Sequence, residues 1–355
     1  MKWFLTLALV LAAGCVVDPY SQLETATPTL SAAQQADLDK RAKPASEFGL
    51  DLRPNTGGVS FSGAINQVVA PRTVTLPLLK IPTEKGERYR LPVVVGSING
   101  KTGVRIMLDS GSNGHLLGYS LARSLGVPAL AGVQPVRGMG IGGTVDNRLA
   151  MIASLQFGDL EIQKQFALIG PDAQALQMTR MFWGNAHVMI GGVSAWRNLS
   201  YLSIDNLKGT ATFSASEPYV PDPTLKTVAA VSLRWMNDLP CVEAQIDGKA
   251  TGLCVLDTGG DYGMLVPRRL AGGLGYWQPG KEKIAMSRGV AGAALDATYD
   301  IRAVQIGPAV FTQVPARTNV VGPEPAGALP LIGNVVLRRH RVTFDFRTGM
   351  LWLER

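Results

Sequence analysis

The sequence contains few of the residues from which metal and thiol sites are built. Among 355 residues there are three cysteines and three histidines, and His115, His187 and His340 lie far apart along the chain. No group of cysteines or histidines has the spacing of metal ligands. We therefore expect no metal site and no bound cofactor.

Charged residues are also scarce, and neither sign is concentrated in one long segment. They make up 17% of the chain, the net charge is +7, and the one basic cluster is the short run 338–341. Nucleic-acid-binding proteins usually gather positive charge on one face. The sequence therefore predicts no nucleic-acid partner, and a mildly basic surface that favours anionic components of a cell envelope.

The apolar run at the N terminus is too short for an ordinary membrane span. It follows Lys2, extends from Trp3 to Val10 and leads into Leu-Ala-Ala-Gly-Cys at 11–15, which predicts a signal peptide over residues 1–14. The end of this segment resembles the bacterial lipobox. That resemblance implies that Cys15 becomes the lipidated first residue of the mature protein; the alternative is ordinary secretory cleavage beside an incidental cysteine.

The residue after this cysteine bears on the final location. Val16 is not the aspartate that retains lipoproteins in the inner membrane. The resemblance therefore implies a bacterial cell-envelope protein, held by its lipid at the periplasmic face of the outer membrane. We expect it to act as a monomer.

Glycine, proline and short apolar runs are abundant, which is typical of strands joined by turns. The chain has 40 glycines, 22 prolines and 46% hydrophobic residues. Its length allows two lobes with a large core. We predict a mainly β protein with a polar tether over 15–59, an N-terminal extension and first lobe over 60–214, a proline-rich linker over 215–225, and a second lobe over 226–355.

One stretch of the sequence occurs twice. Residues 91–118 and 239–266 align without a gap at an offset of 148, and ten of 28 positions are identical. In each copy an apolar, strand-like run ends at an Asp-Ser/Thr-Gly triplet, which is Asp109-Ser110-Gly111 in the first and Asp257-Thr258-Gly259 in the second. The match predicts two similar β-rich units.

The two remaining cysteines lie on either side of a predicted hairpin. Asp247-Gly248 is a strong two-residue turn signal, which would place residues whose numbers sum to 495 opposite each other. Cys241 and Cys254 meet this condition. A disulfide and a pair of small buried thiols are both compatible with this arrangement.

Two acids at the tips of buried strands suggest a specific chemistry. Related by a pseudo-twofold axis, Asp109 and Asp257 would meet, share one proton and hold a water molecule between an acid and a base. Ser110 and Thr258 would fix the two loops by hydrogen bonds across the interface. Ser112 would donate to Asp109, so we predict Asp109 to be the more acidic of the two.

These features together resemble the retropepsins, here as two units fused in one chain, and more distantly the pepsins. The resemblance rests on the two triplets, on the apolar-apolar-Gly segments at 189–191 and 331–333, and on the glycine-rich run 138–143. It implies a bilobal pseudo-twofold acid-protease fold and an aspartic endopeptidase that binds extended polypeptide between its lobes.

The same resemblance implies roles for individual residues. Asp109 and Asp257 would be catalytic, and the loops that carry them would be supported by Ser110, Gly111, Ser112, Thr258 and Gly259. The two glycines would also contact the substrate backbone, Asn113 and Asp261 would line the adjoining subsites, and Gly140, Ile141 and Gly142 would belong to a flap over the substrate. Glycine-rich loops also occur as simple turns, which is the alternative for this flap.

Two other functions compete with this one. A body of the same fold could hold an extended envelope peptide or an assembly partner without cutting it. A serine hydrolase built on Ser110 or Ser112 lacks the Gly-x-Ser-x-Gly pattern, and His115 is its one candidate base. Two intact buried acids favour the protease, because a binding module has no need of them.

Overall fold

The computed structural model describes residues 29–355, apart from 56–57, 84–85, 89–90, 141–142, 173–186, 194–195, 282, 290–291, 321–323 and 325–326. The fold is mainly β and bilobal, as the sequence predicted. Two eight-stranded sheets form the lobes, and a six-stranded sheet joins them.

The first lobe is built on one sheet with the strand order β10-β11-β7-β8-β13-β9-β12-β3. Its long strands alternate between buried and more exposed residues, so one face packs into the core. The strands are β3 (Gln67–Ala70), β7 (Val93–Ile98), β8 (Lys101–Asp109), β9 (His115–Gly118), β10 (Val136–Gly140), β11 (Gly143–Phe157), β12 (Leu160–Gly170) and β13 (Val188–Gly192).

The sheet of the second lobe has the order β17-β18-β19-β24-β20-β23-β22-β21. Its strands are β17 (Arg234–Met236), β18 (Leu239–Ile246), β19 (Lys249–Asp257), β20 (Met264–Leu265), β21 (Lys283–Gly289), β22 (Gly292–Ile306), β23 (Ala309–Asn319) and β24 (Leu331–Gly333). In both lobes a hairpin, β7–β8 or β18–β19, is followed in the sheet by a parallel strand, β13 or β24. The triplet-bearing strand is therefore central in each sheet.

The turns of these two hairpins have the geometry that their sequences predicted. Asn99 and Gly100 have φ of 50° and 76°, and Asp247 and Gly248 have φ of 50° and 75°. Positive φ at both central residues is the requirement of a type I′ turn, which asparagine, aspartate and glycine tolerate.

A six-stranded sheet connects the lobes, with three strands from each half of the chain. Its order is β16-β26-β25-β14-β15-β4, made of β16 (Thr227–Ser232), β26 (Met350–Glu354), β25 (Arg341–Asp345), β14 (Tyr201–Asp205), β15 (Thr210–Ser214) and β4 (Thr73–Pro77). At its middle, β14 and β25 run antiparallel and Thr343 donates a 2.8 Å hydrogen bond to Ser203. The largest core cluster runs through this sheet and includes buried residues of both lobes.

Residues 30–53 pack on the first lobe, where the sequence predicted part of a polar tether. Helix α1 (Ala32–Arg41) buries Leu38 completely, and Tyr119 donates a 2.8 Å hydrogen bond to Asp37 on this helix. The segment has few apolar residues, but Leu30, Leu38 and Leu50 are buried. The segment is thus an arm of the folded body; residues 15–28 lie outside the described part of the chain.

The remaining elements are short. They are a 3-10 turn (Ala45–Phe48), the helices α2 (Tyr119–Ser124), α3 (Arg268–Gly273) and α4 (Asn334–Leu337), and the hairpins of β1 (Asp51–Asn55) with β2 (Gly58–Ser62) and of β5 (Ile81–Thr83) with β6 (Gly86–Arg88). The segment 215–225 contacts the central sheet, where Tyr219 hydrogen bonds Glu354. None of the described helices is both long and apolar enough to cross a bilayer.

The two buried cysteines do not face each other. Cys241 pairs with Val255 and Cys254 pairs with Val242, because an irregularity in β18–β19 shifts the register by one residue between Ala244 and Gln245. A shift of one residue moves a side chain to the opposite face of a sheet. The thiols therefore lie on opposite faces and form no disulfide with each other, so the predicted alternative of two buried thiols is correct.

Candidate active site

Two aspartates stand at the ends of equivalent central strands. Asp109 ends β8 and Asp257 ends β19, and each is paired in register with a glycine of the neighbouring parallel strand, Gly192 or Gly333. Both are 8% exposed. The strand ends therefore deliver one carboxyl group from each lobe to the same place.

The residues that follow the two aspartates lock the lobes together. The Ser110 N–H donates to Thr258 Oγ1 and the Thr258 N–H donates to Ser110 Oγ, both at 3.0 Å. The two hydroxyls then donate onward at 2.6 Å, Ser110 to the Leu256 carbonyl and Thr258 to the Leu108 carbonyl. Four buried hydrogen bonds thus fix each aspartate-bearing loop on the opposite lobe.

Each triplet glycine lies against the carboxyl group of the other lobe. A Cβ added at Gly111 would lie 2.5 Å from Asp257 Cγ, and a Cβ at Gly259 would meet the Asp109 carboxyl group as closely. No side chain fits in that space. The glycines are needed so that the two carboxyl groups, which hydrogen bond each other, can approach.

Burial and mutual repulsion raise the pKa of Asp109 well above its ordinary value, and the backbone N–H of Gly111, 2.8 Å from Oδ1, offsets this only in part. Burial also raises the pKa of Asp257, but hydrogen bonds, first from Tyr262, oppose it. The prediction that Asp109 is the more acidic partner loses its premise, because Ser112 donates to the Gly114 carbonyl at 2.8 Å and not to Asp109.

One residue that the sequence did not single out contacts the acid pair directly. Tyr262 is 5% exposed, and its hydroxyl donates a hydrogen bond to Asp257 Oδ2. Its position corresponds, at the offset of 148, to Gly114 in the first lobe. A tyrosine on one side of a repeat and a glycine on the other was the available sign of this contact.

His115 is a structural residue of the first lobe. Its Nε2 lies 2.7 Å from Gln165 Oε1, and its Nδ1 accepts from the Gly192 N–H at 3.1 Å. Complete burial lowers its pKa to about 4, so the ring is neutral near pH 7. The hydroxyls of Ser110 and Ser112 donate to backbone carbonyls instead, which leaves no Ser-His pair for a serine hydrolase.

The residues predicted to line subsites lie beside the acid pair in sequence but differ in environment. Asn113 is exposed, whereas Asp261 is partly buried and its Oδ1 lies 3.8 Å from a guanidinium nitrogen of Arg338. The two positions are therefore not equivalent, and the second carries a charge that is already paired.

The glycine-rich segments form hairpins in both lobes. β10 pairs with β11 up to Gly140 opposite Gly143, and β21 pairs with β22 up to Gly289 opposite Gly292. The predicted tip residues Ile141 and Gly142 lie outside the described residues, as does Cys15. Over the part of the chain that is described, no three His, Cys, Asp or Glu side chains are grouped as metal ligands would be.

Comparison with known proteins gives a family match over one quarter of the chain. The family described as aspartyl protease matches residues 94–181, which points to a protease and agrees with the resemblance noted from the sequence. No curated protein matches the chain.

Solved structures also resemble the protein. Basic 7S globulin from soybean aligns over 80% of this chain and 95% of its own, with 11% identity and a TM-score of 0.42. A retropepsin-like aspartic protease from Rickettsia conorii aligns over 38% of this chain and 95% of its own, with 19% identity and a TM-score of 0.27.

Proposed function

We propose that the protein is an aspartic endopeptidase in which Asp109 and Asp257 activate a water molecule to hydrolyse peptide bonds. The observation that carries the proposal is the meeting of two buried carboxyl groups, one from each lobe, within hydrogen-bonding distance of each other. Placing two acids together away from water costs free energy, and a protein that only bound peptide would gain nothing from it. A catalytic role as an acid–base pair explains why the two acids are kept together in spite of that cost.

The chemistry follows from the sharing of one proton. The ionised carboxylate accepts a proton from water as the water oxygen attacks the peptide carbonyl carbon, and the protonated carboxyl donates its proton to the carbonyl oxygen. A tetrahedral intermediate results. In its collapse, the carboxyl that took the proton from water donates it to the amine nitrogen, the C–N bond breaks, and the other carboxylate takes a proton from a hydroxyl of the intermediate, so the pair returns to its starting state.

The substrate would lie extended between the lobes, beside the acid pair. In this proposal the backbones of Gly111 and Gly259 contact the substrate main chain, Asn113 and Asp261 border the neighbouring side chains, and the tip of the β10–β11 hairpin, with Gly140, Ile141 and Gly142, covers the substrate.

The location of the enzyme is proposed from the sequence. A lipid on Cys15 would hold a monomer at the periplasmic face of the outer membrane, with polypeptides of the cell envelope as substrates. Metabolic labelling with a radioactive fatty acid tests the anchor. The label should be incorporated into the wild type and lost in Cys15→Ser, and a label retained in that variant would refute it.

Peptide-library cleavage tests the activity. The wild type is incubated with the library between mildly acidic and neutral pH, beside Asp109→Asn, Asp257→Asn and the control Asp159→Asn at an exposed position. Cleavage should persist in the control and disappear in the other two. Binding without cleavage by all four proteins would instead identify a non-catalytic peptide-binding module.

A further inference from the structure

The acid pair is contacted by a tyrosine from one lobe only. The hydroxyl of Tyr262 donates to Asp257 Oδ2, and the equivalent position of the first lobe is Gly114. The serine of the first lobe that could have acted similarly on Asp109 is Ser112, which donates to a backbone carbonyl instead. The site is therefore asymmetric where its backbone is symmetric.

Two glycines form the slot that holds the tyrosine ring. A Cβ at Gly260 would lie 2.5 Å from Cε1 of Tyr262, and a Cβ at Gly333 would lie 2.6 Å from its Cδ2. Contacts this short do not occur between real atoms, so a side chain at either position would displace the ring. The absence of side chains at 260 and 333 is thus what allows the phenol to reach Asp257.

A cation also faces this tyrosine. The guanidinium carbon of Arg317, on β23, lies 4.4 Å from the centre of the Tyr262 ring, which is a favourable cation–π distance. Arg317 in turn lies 3.5 Å from the 2% exposed carboxyl group of Asp296 on β22. The charged and titratable groups around the phenol are therefore Asp257, Asp109, Arg317 and, behind it, Asp296.

We propose that Tyr262 is a positioning residue that keeps the negative charge of the pair on Asp257 and the shared proton on Asp109. A phenol that donates to a carboxylate stabilises its ionised form, and Tyr262 reaches only one of the two acids. This assignment rests on the proposed function, and gives each acid its role. Asp257 accepts the proton of the attacking water, and Asp109 protonates the substrate carbonyl.

The titration behaviour of these groups agrees with the geometry. The pKa of Asp109 lies well above its ordinary value through burial and the charge of Asp257, whereas the Tyr262 hydroxyl opposes the effect of burial on the pKa of Asp257. Burial and the same neighbouring charge raise the pKa of Tyr262 itself. The phenol therefore keeps its proton and remains a donor wherever the enzyme would work.

Carboxyl-carbon NMR tests the proposal without relying on activity. Protein labelled with ¹³C at the aspartate carboxyl carbons is titrated, and the two resonances are assigned with Asp109→Asn and Asp257→Asn. In the wild type Asp257 should ionise at lower pH than Asp109. In Tyr262→Phe the Asp257 titration should move up by about one pH unit, because a hydrogen bond to the charged form is lost.

The matched control is Tyr276→Phe, which removes a second tyrosine–aspartate hydrogen bond of the same lobe, from Tyr276 to Asp247. It should leave both titrations of the pair unchanged. Ionisation of Asp109 before Asp257 in the wild type would overturn the proposal, and so would an unmoved Asp257 titration in a folded Tyr262→Phe. The order in which the two acids ionise in the wild type tests the proposal even if Tyr262→Phe does not fold.

The activity profile separates this inference from the proposed function. With a cleaved peptide, the acid limb of kcat/KM against pH should move up by about one unit in Tyr262→Phe and stay in place in Tyr276→Phe. An acid limb that does not move would also count against a role for Tyr262. A wild type that cleaves nothing would refute the proposed function, while the NMR titration would still decide the charge assignment.

Discussion

Ser110 and Thr258 donate their backbone N–H groups to each other's hydroxyl oxygen, both at 3.0 Å. Because each hydroxyl also donates to a carbonyl of the opposite strand, both residues have a buried donor and a buried acceptor that depend on the partner lobe. The alignment of the two aspartates therefore depends on the hydroxyl group of the residue that follows each of them.

Thr258→Val should destabilise the protein and reduce its activity. The valine has nearly the same shape but leaves the Ser110 N–H and the Leu108 carbonyl without their buried partner, at a cost of about 2 kcal/mol. Thr258→Ser keeps the hydroxyl and should remain close to the wild type. Urea unfolding and peptide cleavage measure both effects. The control is Thr75→Val, at an exposed Thr75–Thr212 hydrogen bond, and equal losses in all three variants would contradict this view.

Asp109→Asn should unfold at a higher temperature than the wild type at neutral pH. Because the folded state raises the pKa of Asp109 above its ordinary value of 3.8, stability is lost as pH rises from that value through the folded-state pKa. Asparagine does not ionise, so the variant does not lose this stability. A difference of about 1 kcal/mol in the free energy of unfolding would correspond to roughly 2 °C in Tm for a chain of this size. Melting curves from pH 3 to 8 should show the gap closing at low pH; a gap independent of pH would be inconsistent with a buried acid pair.

His115 should make the wild type less stable on acidification. Its pKa is about 4 in the folded protein and 6.5 when unperturbed, so stability is lost as pH falls from 6.5 through 4. The full effect is about 3 kcal/mol. His115→Gln has no proton to gain, so its deficit relative to the wild type at pH 7 should narrow by pH 4. Urea unfolding at both pH values measures this, and a constant deficit would show that the imidazole is not neutral.

Cys241 and Cys254 should both remain thiols under oxidising conditions. Alkylation after unfolding, without a reducing agent, should modify both, as peptide mapping by mass spectrometry would show. In the folded protein Cys241 should react slowly at pH 8, because burial raises the pKa of its thiol to about 11. A peptide containing both residues linked by a disulfide would contradict the register of β18–β19.

The sequence carried enough information for the architecture and for the meeting of the two acids. Asp109 and Asp257 follow apolar runs that end in the same triplet, and a pairwise repeat of this kind constrains where the strand ends lie. The hairpin turns were equally predictable, because Asn-Gly and Asp-Gly tolerate the positive φ that a type I′ turn requires.

The errors arose where a single residue changed the geometry. The register of the cysteines was extrapolated correctly from the turn as far as Gln245, which pairs with Ala250, but an extra residue on β19 then shifts every later pair by one. Gly252, whose φ is 84°, lies at that irregularity, and a glycine inside a strand is the available sequence sign of a bulge. The premise for the predicted order of acidity failed for a similar reason, since the Ser112 hydroxyl donates to the Gly114 carbonyl and not to Asp109.

Long-range contacts were the other source of error. Residues 30–53 have the composition of a tether, and only their packing against the first lobe shows that Leu30, Leu38 and Leu50 are buried. Tyr262 lies between Asp261 and Gly263 in the loop after the second triplet. Its contact with Asp257 depends on the space left at two glycines, one of which is distant in sequence.

The central sheet has a consequence for synthesis on the ribosome. Strand β14 is finished long before its partner β25, since 136 residues separate Asp205 from Arg341, which face each other. Until then the nascent first half presents an unpaired strand edge, which is a template for pairing with other chains. A chaperone that shields this edge during translation would protect the half-made protein from aggregation.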